Sequence, residues 1–185
     1  MKYLAVAFTL LGLLPPLAHA AEFSRVQADR SSISFSFSQM GVPMAGRFGK
    51  FASQLRFDPT APAEARVTIE VDLASIDTGT PELDTEAAGQ SWFDIKAFPV
   101  ARFTSTAVTP GPGDHYTVAG KLSIKGKARD LVVPATFSAQ GNGGTFAGRF
   151  TLRRGDFAIG EGPWSAFDIV ANDIQVKFQL TATSK

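Results

Sequence analysis

"SSISFSFSQMG", residues 31–41, alternates almost without exception: Ile33, Phe35 and Phe37 hold one parity, Ser32, Ser34, Ser36 and Ser38 the other. Successive side chains of an extended chain point to opposite faces, so this stretch predicts a strand with an aromatic row on one side and hydroxyls on the other. Such a row can face a packed core, a membrane or a cavity. A membrane barrel turns its apolar residues outward around a polar interior, which is the reverse of what polar outer faces on most strands imply.

The same period of two recurs along the chain. Phe51, Leu55 and Phe57 mark a run within "RFGKFASQLRFDP" (47–59), and Val67, Ile69, Val71 and Leu73 alternate with Thr68, Glu70 and Asp72. "PVARFTSTAV" (99–108) carries Phe103; Tyr116, Val118, Leu122 and Ile124 share a parity, as do Leu131, Val133 and Phe137. Phe146, Phe150 and Leu152 follow, and Ile174, Val176, Phe178 and Leu180 end the series. Gly- and Pro-rich punctuation separates the runs at Asp58-Pro59, 110–113, Gly126, 141–144 and 160–163. About eight strands at antiparallel spacing result, in one closed sheet or two packed sheets. Pro134, inside a run, needs a bend or an unpaired position.

One segment loses the alternation. Residues 80–96 read as a short helical element between two strands, with Thr80 as N-cap, Pro81 in the first turn, Glu82 near the positive helix end and Gly89 as terminator. A connection of this kind can lie across one mouth of a barrel.

Residues 1–20 have the pattern of a secretory signal peptide: Lys2, an apolar run from Leu4 to Leu14, Pro15-Pro16, then Ala18-His19-Ala20. The domain is then residues 21–185, exported and periplasmic. Without Lys2, basic and acidic residues balance at 17 each, which argues against nucleic acid or an anionic surface as the main partner. The chain has no cysteine, so an exported fold must rest on its apolar core, and thiol chemistry is excluded.

Catalytic signals are sparse. His115 is the one histidine beyond the leader, and no metal-ligand spacing or nucleophile elbow accompanies it. Glu82, Asp84, Glu86 and Asp94 read as a solvated helical cluster, so the chain is expected to be no enzyme and to need no cofactor or metal. An enzymatic alternative would fall on Asp84, Glu86, Asp94 and His115. "RGD" at 154–156 reads as a chance match beside a strand end, with Asp156 as a turn residue. The aromatic supply is the stronger oddity: sixteen phenylalanines, of which Phe8 alone lies in the leader, plus Trp92 and Trp164. They fill the barrel solidly or line an apolar cavity.

"SSISFSFSQMGVPMAGRFGKF", "LRFDP", "IEVDLASIDTG", "WFDIKAFPVARFTST", "YTVAGKLSIKGKARDLVVPATF" and "RRGDFAIGEG" follow one another in the order and spacing of a known family. From Ser31 to Gly162 the chain resembles the YceI-like proteins, periplasmic lipocalin-like barrels that bind polyisoprenoid chains. The resemblance implies an eight-stranded antiparallel lipocalin-like barrel acting as a carrier for an isoprenoid lipid or a quinone-like amphiphile. It also implies an inner-membrane b-type cytochrome as a partner, and a homodimer as an assembly seen among related barrels. Interaction with that cytochrome by a solidly packed barrel, and a lipid-modifying enzyme, are the alternatives. Two positions depart from the family pattern. Gln39 stands where many members carry histidine, and residues 80–94 lack their arginine and histidine.

The expected ligand-binding residues are the inward parity: Phe35, Phe37, Phe51, Phe57, Ile69, Val71, Phe103, Leu122, Ile124, Phe137, Phe150, Phe157 and Phe178. Trp92 and Phe93 are assigned to the mouth, and Met40 and Met44 to an adaptable rim.

Overall fold

A computed structural model describes residues 22–184; the signal peptide expected over residues 1–20 lies outside the described residues. Ten strands form one antiparallel sheet: β1 (Phe23–Gln39), β2 (Val42–Phe48), β3 (Phe51–Arg56), β4 (Arg66–Asp72), β5 (Ile76–Asp77), β6 (Val100–Pro110), β7 (His115–Ile124), β8 (Lys127–Gln140), β9 (Gly143–Arg153) and β10 (Asp173–Ser184). The strand order is β3-β4-β6-β7-β8-β9-β10-β1-β2-β5, and the sheet curls strongly into a half-barrel. At one end it is drawn together by a bridge in which Phe23 and Phe57 exchange backbone hydrogen bonds of 2.8 and 3.1 Å.

The count is ten where the period of two predicts eight. Met40 and Gly41 both have positive φ, 48° and 79°, and form a two-residue turn with Gln39 paired to Val42. That geometry matches the right-handed twist of a hairpin, so the chain folds straight back into β2. Gly49-Lys50 then separates β2 from β3, which makes two strands from the run read at 47–59. The other addition is β5, a two-residue strand whose Asp77 and Ile76 pair with Arg47 and Phe48.

The helical break is α1, Pro81–Ala88, shorter than the span 80–96; the backbone continues from Gly89 in turns. Pro81 stands in the first turn as expected, but the Thr80 side chain makes no capping bond. Thr78 instead donates to Asp84 Oδ1 through both its amide (2.8 Å) and its hydroxyl (2.7 Å). Pro134 pairs with Thr117 on β7, while the ladder to β9 begins at Ala135, so the missing N–H falls where no partner stands on that side.

Glycines control where the rings lie. A Cβ at Gly46 would come within 2.4 Å of the Phe35 ring, at Gly120 within 2.4 Å of Phe103, at Gly144 within 2.3 Å of Phe137, and at Gly148 within 2.6 Å of Phe178. Each ring occupies the space a neighbouring side chain would take; Phe35, Phe103 and Phe178 lie along the wall, whereas Phe137 joins the packed end. At one end the core is filled by Phe23, Phe57, Phe137 and Phe146, with ring centroids 4.6–5.0 Å apart and Tyr116 5.3 Å from Phe57. Leu73, Phe157 and Ile159 anchor a second buried cluster toward the α1 end.

Candidate functional site

Between the aromatic plug and α1 the sheet encloses a cavity of about 280 Å³ with an almost wholly apolar wall. On β7 its lining runs from Tyr116 through Val118 and Leu122 to Ile124. Eight residue steps of strand span about 26 Å, so a modest volume is drawn out into a slender lumen. β1 contributes Ile33, Phe35 and Phe37, and β10 contributes Ile174, Val176, Phe178 and Leu180 from the facing register. Leu83, Glu86 and Ala87 of α1 close part of the end opposite the plug.

That end is fastened by polar contacts. Trp164 Nε1 donates to Glu86 Oε1 at 2.7 Å, linking the turn at 162–164 to α1. Gly160 and Glu161 amides both donate to Ser91 O at 2.8 Å. Lys125 Nζ, on a side chain 8% exposed, donates to Gln90 O, Ala158 O and Glu161 Oε2.

Beneath this cap lies Arg154, 1% exposed. It sits in a 3₁₀ turn, Arg154–Phe157, directly after β9. Its guanidinium donates to six backbone carbonyls, those of Ile159, Gly160, Trp164, Ala166, Val170 and Ala171, at 2.7–3.3 Å. The Trp92 and Phe167 rings lie 5.7 and 5.0 Å from Cζ. Burial pushes the guanidinium below its usual pKa, yet such a group stays charged at neutral pH. One cation thus holds residues 159–171 in shape through their carbonyl dipoles. This is the part played by the "RRGDF" stretch, beside the turn position assigned to Asp156.

The matched family model of the YceI-like domain covers residues 25–182. The chain belongs to the YceI-like family. A UPF0312 protein of Pseudomonas syringae pv. tomato is 30% identical to this YceI-like chain over 162 residues, 82% of this chain and 84% of that protein. A UPF0312 protein of Shewanella denitrificans is 29% identical over 184 residues, 90% of this chain and 96% of its own. Among solved structures, BcnA of Burkholderia cenocepacia superposes with a TM-score of 0.83 at 41% identity, covering 85% of this chain and 99% of BcnA. A polyisoprenoid binding domain from Saccharophagus degradans shares the fold, with a TM-score of 0.71 at 14% identity over 89% of this chain and 99% of that one.

Of the expected site residues, the YceI-like lumen brings together Phe35, Phe37, Phe57, Ile69, Val71, Trp92, Phe93, Phe103, Leu122, Ile124, Phe150 and Phe178. Five others stand elsewhere. Phe137 is in the plug against Phe23, Phe57 and Phe146. Phe157, 2% exposed, is buried beside Arg129, whose Cζ is 6.0 Å from its ring. Phe51 pairs opposite Val71 but lines a separate, more open and more polar depression with Arg47 and Lys50. Met40 is 71% exposed at the hairpin tip, and Met44, opposite Phe37, is half-buried outside the cavity wall.

The lumen also takes in residues outside the expected set. Leu55, Val118, Phe146 and Leu152 follow the strand parity and were readable by it, and Gln39 shares the parity of Ile33, Phe35 and Phe37; Phe48 stands on β2, which the alternation did not reveal, and Glu86, Arg154 and Trp164 carry no such signal. The enzymatic candidates do not converge: His115 begins β7 beside the plug, with its Nδ1 3.0 Å from Asp114, at the far end from α1. Among the described residues no three histidine or carboxylate side chains form a metal-holding group.

Proposed function

We propose that this YceI-like chain is a periplasmic carrier that holds an isoprenoid lipid or quinone-like amphiphile in its lumen. The slender apolar lumen carries the reading. Its length and narrowness suit an extended tail, and its wall offers almost nothing to a polar solute. Each Å² of apolar tail removed from water contributes roughly 25 cal/mol, so a long tail gains affinity with no charged contact. The polyisoprenoid binding domain of like fold points the same way. The leader pattern of residues 1–20 supports export.

Native mass spectrometry of the protein purified from the periplasm of its own host tests the reading. The expected result is a bound apolar lipid, and uptake of added polyprenyl quinone by any empty fraction. A barrel that is always empty and takes up neither polyprenyl lipids nor quinones refutes the carrier. Fractionation of cells producing the full chain checks the compartment, with the product expected in the periplasmic fraction.

A further inference from the structure

Among the described residues, two buried side-chain polar atoms have no hydrogen-bond partner: Ser24 Oγ and Trp92 Nε1. The second belongs to a residue of the lumen wall. A buried donor left unmade carries the full desolvation penalty of the N–H group, so such a group invites an acceptor brought in from outside. The neighbouring indole, Trp164, already donates to Glu86. Its ring centroid is 5.7 Å from that of Trp92, which makes the contrast between the two N–H groups a local one.

We infer that the Trp92 indole N–H is the head-group donor of the lumen, accepting ligands whose isoprenoid tail ends in a neutral oxygen such as a quinone carbonyl. This rests on the carrier reading above. The surroundings choose the class of acceptor. The Arg154 cation beside the Trp92 ring favours an electron-rich atom and disfavours a cationic head. Its N–H groups are all directed at backbone carbonyls, so it is not free to neutralise a phosphate. Glu86 adds a carboxylate to the same end. A phosphorylated head would therefore lose its hydration without gaining an ion pair, whereas a carbonyl needs only one donor. The tail then runs from the Trp92 end toward the plug at Phe57 and Phe146.

The chain has two tryptophans, so the ¹⁵N-labelled protein gives two indole N–H signals, assigned with Trp92→Phe and Trp164→Phe. Three probes are compared: an isoprenoid benzoquinone, the isoprenoid hydrocarbon of equal tail length, and the corresponding prenyl phosphate. The benzoquinone should move the Trp92 signal downfield, and the hydrocarbon should not. Trp92→Phe keeps an aromatic ring and removes the donor; it should weaken benzoquinone binding roughly fivefold more than it weakens hydrocarbon binding. Equal weakening of both, no benzoquinone-specific shift in the wild-type protein, or tighter binding of the prenyl phosphate overturns the assignment while the carrier stands. Failure of the wild-type protein to bind any of the three overturns the carrier and the assignment together.

Discussion

Arg154 shows how one residue can hold a site together without touching the chemistry. Its neighbours in the chain, Arg153 and Asp156, give no hint that it is buried, and the six carbonyls it binds belong to backbone at residues 159–171. Arg154→Met leaves those carbonyls desolvated and unpaired, and we expect a loss of about 3 kcal/mol or more in urea denaturation. Arg154→Lys keeps the charge but not the planar fork, so it should recover only part of that loss. Parity made Phe35, Phe103 and Phe178 legible as inward. It could not separate Phe103 in the lumen wall from Phe137 in the plug, because both face inward at different depths.

Strands and their pairs set the bore of the lumen. Phe35 lies across Gly46, its direct partner on β2, and a Cβ there would meet both the ring and the backbone carbonyl of Asp77, the latter at 2.9 Å. Gly46→Ala should cost about 1–3 kcal/mol by thermal or chemical denaturation, and Phe35→Leu in the same chain should restore part of it. The short pairing of β2 with β5 has its own acid dependence. The Gly79 amide and then Arg47 hold the Asp77 carboxyl below its ordinary 3.8. A carboxyl with a depressed folded pKa stabilises fully above about pH 4, and that contribution disappears as the pH falls through the folded value. Asp77→Asn should therefore lower the melting temperature slightly at pH 7, with the difference from wild type shrinking as the pH falls below about 4. The β2 and β5 strands were not legible in the sequence. One depends on a turn whose first residue is methionine, and the other is two residues long, too short for any period.

At the scale of the whole molecule, the decisive feature is that a plug of aromatic rings closes one end while the middle stays open. Val118 lines the lumen between Tyr116 and Leu122 on β7. Val118→Trp should obstruct a tail midway while leaving the plug and the α1 end intact. The expected outcome is more than a tenfold loss of polyprenyl quinone uptake, with the far-ultraviolet circular dichroism of wild type. Unimpaired uptake would mean that the tail does not pass this point.

Alternation and turn punctuation determined that this chain is antiparallel sheet with one apolar face and one short helix, because side-chain direction in a strand follows from residue parity alone. The motif order located it among YceI-like proteins. Tertiary structure decided whether "SSISFSFSQMG" meets a filled core or open space. That choice depends on glycines of other strands, such as Gly46 beside Phe35 and Gly148 beside Phe178, which let rings lie flat on the wall. It depends equally on Arg154 shaping a loop through backbone carbonyls, and on which indole finds an acceptor. Carbonyl directions and missing side-chain volume acquire meaning only when distant segments meet, so neither is written in the local pattern.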